Sequence, residues 1–325
     1  MKAAILGAGN IAASMAQALG GLDDSLVESY AIAARDYDRA EAFARKWGIK
    51  KAYGSYEEML EDPLVDLVYI ATPHVFHYEY AKLCLEYGKP VLCEKPFTVK
   101  EWQAKELFAL AKEKNLLIAE AMWTRYMPSR QMIQDVIDSG VVGEITSMAA
   151  NLGYEHINIE RMRRPELAGG ALMDLGVYPL HFALMFFGDQ IKEITSTCVK
   201  LETGVDAQES MTLIYEDGRM AVLYSSMLVH CNRLGEINGT KGCIEVQNIN
   251  NCEEIRVLDE KRQVTARYPV PKQINGYEYE VLACKRALEQ GLLECPELPH
   301  EEILKVVRLT EYLRKEWGVI YPFEQ

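Results

Sequence analysis

The sequence is short of positive charge: 35 Lys and Arg stand against 48 Asp and Glu, a formal net charge of −13 over 325 residues. A surface that tracks nucleic-acid phosphates needs Lys or Arg at each backbone contact, so no nucleic-acid partner is expected. Paired cysteines are missing too. Cys84, Cys93, Cys198, Cys231, Cys243, Cys252, Cys284 and Cys295 are scattered singly, with no CxxC pair and no His at ligand spacing. The expectation is reduced thiols in a cytoplasmic protein, with no metal. No apolar run approaches the roughly 18 to 20 residues of a bilayer span, so no membrane partner is expected. The opening MKAAILGAGN breaks at Asn10 without a small-residue cleavage site and reads as a strand, not a signal. Internal repeats, low-complexity tracts and long flexible linkers are also lacking.

Hydrophobic residues make up 49% of the chain, enough for a sizeable core, and the length points to two domains. Up to about residue 121 short apolar runs alternate with amphipathic stretches, the pattern of a parallel sheet wrapped by helices. The expected strands are 2–6, 30–34, 66–71, 90–93 and 116–120, and the expected helices 38–47, 76–87 and 101–114. After residue 143 strand-like runs follow one another, joined by turns such as EDGR at 216–219, and two helices close the chain near 277–290 and 300–316. The fold class is therefore α/β, with a doubly wound parallel-sheet domain over 1–122 and an α+β domain over 123–325 built on a mostly antiparallel sheet. In MAVLYSSMLV both alternating sets carry large apolar side chains, so both faces should be covered, one by helices and one by a second subunit.

Directly after the first strand comes GAGNIA. Gly7 permits a sharp turn, Gly9 removes the side chain that would block a pyrophosphate, and small Ala12 lets the helix approach the sheet. Asn10 and Ile11 then open a helix whose N-terminus faces the anion. The second strand ends in Ala34 and Arg35, with Arg39 one helical turn on; an arginine fork suits a ribose 2'-phosphate and favours NADP over NAD. Asp36 is the competing residue. After the third strand, TPHVFH places Thr72, Pro73 and His77 near the nicotinamide ribose, although His77 has an equal reading as a cap or packing residue of the next helix. The next strand delivers EKP, with Glu94 and Lys95 at the same edge.

GAGNIA, TPHVFH, EKP and GGALMDLGVY at 169–178, in this order along the chain, resemble the Gfo/Idh/MocA oxidoreductase family. EAMWTRYMP at 120–128, and tyrosine rather than histidine at 178, are most similar to its branch that oxidises cyclic vicinal diols and pyranose sugars with NADP. The resemblance implies a Rossmann domain joined to an open-faced sheet with the site between them. Asp174, Tyr178 and His181 share one helical stripe among apolar neighbours, kinked by Pro179. Tyrosine has an unperturbed pKa of about 10 and needs help to exchange a proton, and a nearby lysine supplies it. Lys95 and Tyr178 are thus the expected catalytic pair, either one carrying the proton, with Asp174 positioning them. Trp123, Arg125, Tyr178 and His181 are the candidate substrate contacts, Trp123 having an equal reading as core. Arg161, Arg163 and Arg164 read as a solvated loop, the alternative being a contact with an anionic substrate or the cofactor.

The expected activity is hydride transfer between NADP(H) and a hydroxyl or carbonyl carbon of a sugar, polyol or cyclic diol, in a homodimer. An inactive NAD(P)-binding regulatory protein of the same fold is the alternative. A metal-dependent dehydrogenase finds no ligand cluster in the sequence.

Overall fold

The structure, a computed structural model, describes residues 1–324. The chain runs β1 (Lys2–Leu6), α1 (Asn10–Gly21), β2 (Glu28–Ala33), α2 (Tyr37–Trp47), β3 (Lys51–Tyr53), α3 (Tyr56–Leu60), β4 (Leu67–Ile70), α4 (His77–Glu86), β5 (Val91–Glu94), α5 (Glu101–Lys114) and β6 (Ile118–Ala121). It continues with α6 (Pro128–Asp138), β7 (Ile145–Gly153), α7 (Glu160–Arg163), a π-helical turn (Leu172–Gly176), α8 (Val177–Phe187), β8 (Ile191–Lys200), β9 (Asp206–Tyr215) and β10 (Met220–Ser226). Last come β11 (Gly235–Gly239), β12 (Gly242–Gln247), β13 (Glu254–Asp259), β14 (Val264–Pro269), α9 (Glu278–Glu289) and α10 (His300–Glu316).

Two compact units emerge. One comprises residues 1–126 with 273–307, the other 127–272 with 308–325. The boundary expected at 122 falls four residues later, and 273–307, assigned by sequence to the second domain, packs with the first. The reason is the outer edge of β6, whose unpaired backbone groups need cover. Ile118 N–H donates to Leu293 O at 3.1 Å, His300 Nε2 lies 2.8 Å from Ile118 O, and Asn275 Nδ2 donates to Ser14 O at 2.8 Å.

In the first unit six strands pair in parallel in the order β3-β2-β1-β4-β5-β6. β4, β5 and β6 are buried at every position, as expected of a sheet covered on both faces. The strand order reverses between β1 and β4, and ligand crevices form at the carboxyl ends of strands at such a point. β3 and α3, only three and five residues long, lie outside the sequence reading because neither is long enough to establish a period.

The second unit holds an eight-stranded sheet, β14-β13-β12-β11-β7-β10-β9-β8. Only β7 and β10 run parallel; the other neighbours are antiparallel. β11 escapes the sequence reading because GEING has a single large apolar residue, and β14 because it is a mostly exposed edge strand. Met148, Ala150, Leu152, Ala221 and Leu223 are buried on one face of the sheet. On the other, Met220 and Val222 are 40% and 44% exposed, so that face is open in the single chain rather than covered. One helical stretch, Pro165–Phe187, is long and apolar enough by length and composition to cross a membrane, contrary to the sequence reading. It is a core element here: 89% of its most apolar window is buried inside the protein.

Candidate active site

In the first unit the loops after β1, β2, β4 and β5 all leave from the carboxyl edge of the sheet. Gly7 takes φ +101°, a conformation that side chains disfavour, and a Cβ there would lie 2.9 Å from Ala71 O. A Cβ on Gly9 would meet nothing closer than 3.9 Å, so the space beside the α1 N-terminus is open. That terminus has no side-chain cap and no acid in its first turn, leaving the N–H groups of Asn10 and Ile11 for an incoming anion. Ala12 is fully buried where the helix meets the sheet. Across the switch point, Thr72 Oγ1 is a buried polar atom with no partner among the described residues. Together these residues fit a dinucleotide: a shaped glycine turn, a bare helix start and one orphaned hydroxyl.

Beyond β2, Asp36 caps α2, its Oδ1 accepting from Arg39 N at 3.0 Å. That engagement holds it in place as a helix cap. Arg39 reaches back, Nη2 donating to Ala8 O at 2.8 Å, and closes α2 over the glycine loop. Arg35 is exposed.

The turn that carries Lys95 is fixed by three buried groups. Glu94, 4% exposed, accepts from Tyr69 Oη through Oε1 and from Lys95 N through Oε2 at 3.1 Å. Glu120 Oε1 accepts from Phe97 N at 2.8 Å. His77, fully buried, places Nδ1 2.8 Å from Pro96 O and Nε2 2.9 Å from Thr72 O. Burial pushes its pKa down, so a neutral ring donates to one carbonyl at a time and staples the TPHVFH loop to the EKP turn. The Lys95–Pro96 peptide is cis and Lys95 itself is half-buried. Glu94 and His77, both named at the cofactor by the sequence reading, are buried supports of the lysine turn, His77 in keeping with its packing reading. Pro73 is half-buried and leads into a short 3-10 turn ahead of α4.

Beneath this turn lies an acid cluster the sequence reading missed. Burial pushes the Glu120 carboxyl up to about 7. Glu280, on α9, is fully buried with no donor to either oxygen among the described residues; burial, then Glu94, raises it well above the carboxylate range. No local motif marks these groups, because they meet through sheet neighbours and through the returning segment.

Two expected substrate contacts are buried in the first unit. Arg125, 2% exposed, pairs with Glu302 at 2.5 Å, a buried guanidinium that needs this partner. Trp123 is 8% exposed and packs on Tyr277 with ring centroids 4.5 Å apart, in keeping with its core reading.

In the second unit, Asp174, Tyr178 and His181 sit on the π turn and α8. The N–H of Val177 reaches back five residues to Leu172 O, widening the helix just before Pro179, where the missing N–H would otherwise break it. Tyr178 is 7% exposed and His181 fully buried. Asp174 accepts from Arg161 Nη2 at 3.1 and 3.3 Å, and His156 Nδ1 stands 3.7 Å from its Oδ2. Arg161, read as part of a solvated loop, thus anchors the aspartate, whereas Arg164 pairs with Glu160 at the surface. The signal for Arg161 was its basic neighbourhood; what hid it was the lack of any period between 154 and 168.

The family model described as an oxidoreductase family with an NAD-binding Rossmann fold, Gfo/Idh/MocA, matches residues 1–121, and that of the Gfo/Idh/MocA C-terminal domain matches 130–245. The chain is 35% identical to trans-1,2-dihydrobenzene-1,2-diol dehydrogenase from Mus musculus over 327 residues, covering 98% of this chain and 97% of the relative. The Homo sapiens enzyme of that name is also 35% identical, with the same coverage. Among solved structures, KijD10, a 3-ketoreductase from Actinomadura kijaniata in complex with NADP and TDP-benzene, superposes with a TM-score of 0.87 at 28% identity, covering 97% of each chain. The same ketoreductase has been solved as a lysine-to-alanine and as a tyrosine-to-phenylalanine variant. With both halves matched by models of one family and relatives aligned over nearly the whole length, the chain belongs to the Gfo/Idh/MocA family of oxidoreductases.

Proposed function

We propose that the protein is an NADP-dependent dehydrogenase acting on a sugar, polyol or cyclic vicinal diol. The observation that carries this reading is the convergence of the Gly7–Gly9 turn, the Thr72 loop and the Lys95 turn on one edge of the first sheet, with Lys95 locked by Glu94, Glu120 and His77. The dinucleotide, when bound, supplies a nicotinamide ring that accepts or gives a hydride. Gly7, Gly9, Asn10 and Ile11 hold its pyrophosphate at the α1 N-terminus, and Thr72 Oγ1 orients its ribose end. Arg35 meets a 2'-phosphate; Asp36 stays engaged as the cap of α2.

In the alcohol-oxidising direction Lys95 holds the substrate hydroxyl oxygen and Tyr178 takes the hydroxyl proton as the hydride leaves the same carbon. Asp174, itself fixed by Arg161, orients the tyrosine helix. The diol dehydrogenase relatives and the ketoreductase support this substrate class, and the variants of the latter concern the same two residue types. We further propose that the open face of the second sheet seats a second copy of the chain, covering Met220 and Val222.

A panel of pyranoses and cyclic vicinal diols assayed with NADP tests the activity. Tyr178→Phe is expected to keep NADPH affinity while lowering kcat by about a hundredfold or more, the range of a lost proton carrier. Unchanged kcat in that variant retires the tyrosine, and an inert parent across the panel favours the regulatory alternative.

A further inference from the structure

The turn that presents Asp174 and Tyr178 rests on two acids the reaction does not use. Asp206 opens β9 and is fully buried; Glu209, three residues on, is 2% exposed. Three positions along a regular strand would point to opposite faces. Here the β8 to β9 register slips between Val199 and Lys200, whose partners are Gln208 and Asp206, so Ala207 is an extra residue and both carboxyls turn inward.

They grip the turn at its two ends. Asp206 Oδ2 accepts from Leu172 N at 2.5 Å at the start of the π turn, and Asp206 also receives Ala171 N–H. At the other end a Cβ on Gly176 would lie 2.6 Å from Glu209 Oε1, while on Gly170 it would lie 2.3 Å from Asp206 Oδ1. Gly170 and Gly176 of the GGALMDLGVY motif are therefore seats for these carboxyls.

The donors do not suffice for two anions. Glu209 Oε1 accepts from Ser225 Oγ, but Asp206 Oδ1 and Glu209 Oε2 are buried without a donor among the described residues. Two adjacent buried carboxyls cannot both ionise. Burial, then the charge of Asp206, hold the Glu209 carboxyl well above the usual range. Burial raises the Asp206 carboxyl as well, but backbone donors and the Arg314 guanidinium oppose that shift, so of the two Asp206 is the one that keeps the charge. The other titratable groups around the pair are Cys198 on β8, and Tyr321 and Glu324, the latter paired with Arg314 at 2.8 Å.

We propose that Glu209 and Asp206 share one proton and act as positioning residues, clamping the π turn so that Asp174 and Tyr178 are held for proton transfer. This rests on the dehydrogenase reading above. Glu209→Gln imitates the protonated acid and is expected to keep kcat within about twofold, whereas Glu209→Ala lowers it about tenfold or more with KM for NADP unchanged. In the parent kcat falls at alkaline pH as the shared proton leaves, and in Glu209→Gln that limb is absent. Equal losses in the two variants, or persistence of the limb in Glu209→Gln, overturn the proposal.

Thermal unfolding reads the clamp without activity. An acid raised by burial gives stability that is complete below its unfolded pKa and lost as pH rises through its folded one. The melting temperature of Glu209→Gln is therefore expected to rise relative to the parent as pH increases. A constant difference sinks the shared proton even if no substrate has been found, whereas a widening difference beside an inert parent sinks the dehydrogenase reading alone.

Discussion

Glu120 changes charge near neutrality while holding the backbone behind Lys95. Its folded pKa of about 7 lies above the roughly 4.3 of an unfolded glutamate. Stability is thus complete below the unfolded value and declines as pH rises through the folded one. Glu120→Gln keeps an acceptor for Phe97 N and removes the titration. Chemical denaturation is expected to show its stability, relative to the parent, growing across that window by up to about 4 kcal/mol, at about 1.4 kcal/mol per unit. A flat difference would place the Glu120 titration elsewhere. At the cofactor, the Arg35 proposal predicts that NADPH binds more tightly than NADH in a fluorescence titration, and that Arg35→Ala erases most of the difference; equal affinities in the parent remove Arg35 from the argument. Gly7, Gly9 and Lys95 were readable because each follows a strand end within a few residues. Tyr69, Glu120 and Glu280 were not, since what makes them matter is proximity across strands and a chain return, which no local spacing records.

At the level of elements, the glycine turn after β1 is set by backbone geometry, not by its ligand. Gly7→Ala places a Cβ 2.9 Å from Ala71 O at φ +101°, so a loss of about 1 to 2 kcal/mol is expected from the left-handed conformation alone. Cofactor affinity should fall with it, because Ala71 leads into the Thr72 loop; a fully stable variant with parental NADPH binding would contradict this account. That Asp174, Tyr178 and His181 lie on helical turns was legible from spacing, and Pro179 flagged a distortion. That the distortion is a π turn was not, because it depends on carboxyls delivered by β9, far along the chain. The alternating apolar sets of β10 were read correctly as two apolar faces, but periodicity does not say what lies on each. Here α8 covers one and the other is open.

For the whole molecule, the proposed homodimer carries a prediction of its own. Val222→Glu puts a charge in the middle of the open apolar face, and sedimentation is expected to show a monomer in place of a dimer, with the chain still folded. A parent that sediments as a monomer would end that proposal. The succession of elements revealed two domains, yet not their true membership, because residues 273–307 return to the first unit after the second has been built. That return has a temporal consequence. As the polypeptide emerges during synthesis, the nucleotide-binding half waits with the rim of β6 bare until Leu293 and His300 have been added. The half encoded first is thus finished late, and a nascent chain stalled before residue 273 would expose an unfilled sheet edge to any chaperone or neighbouring strand.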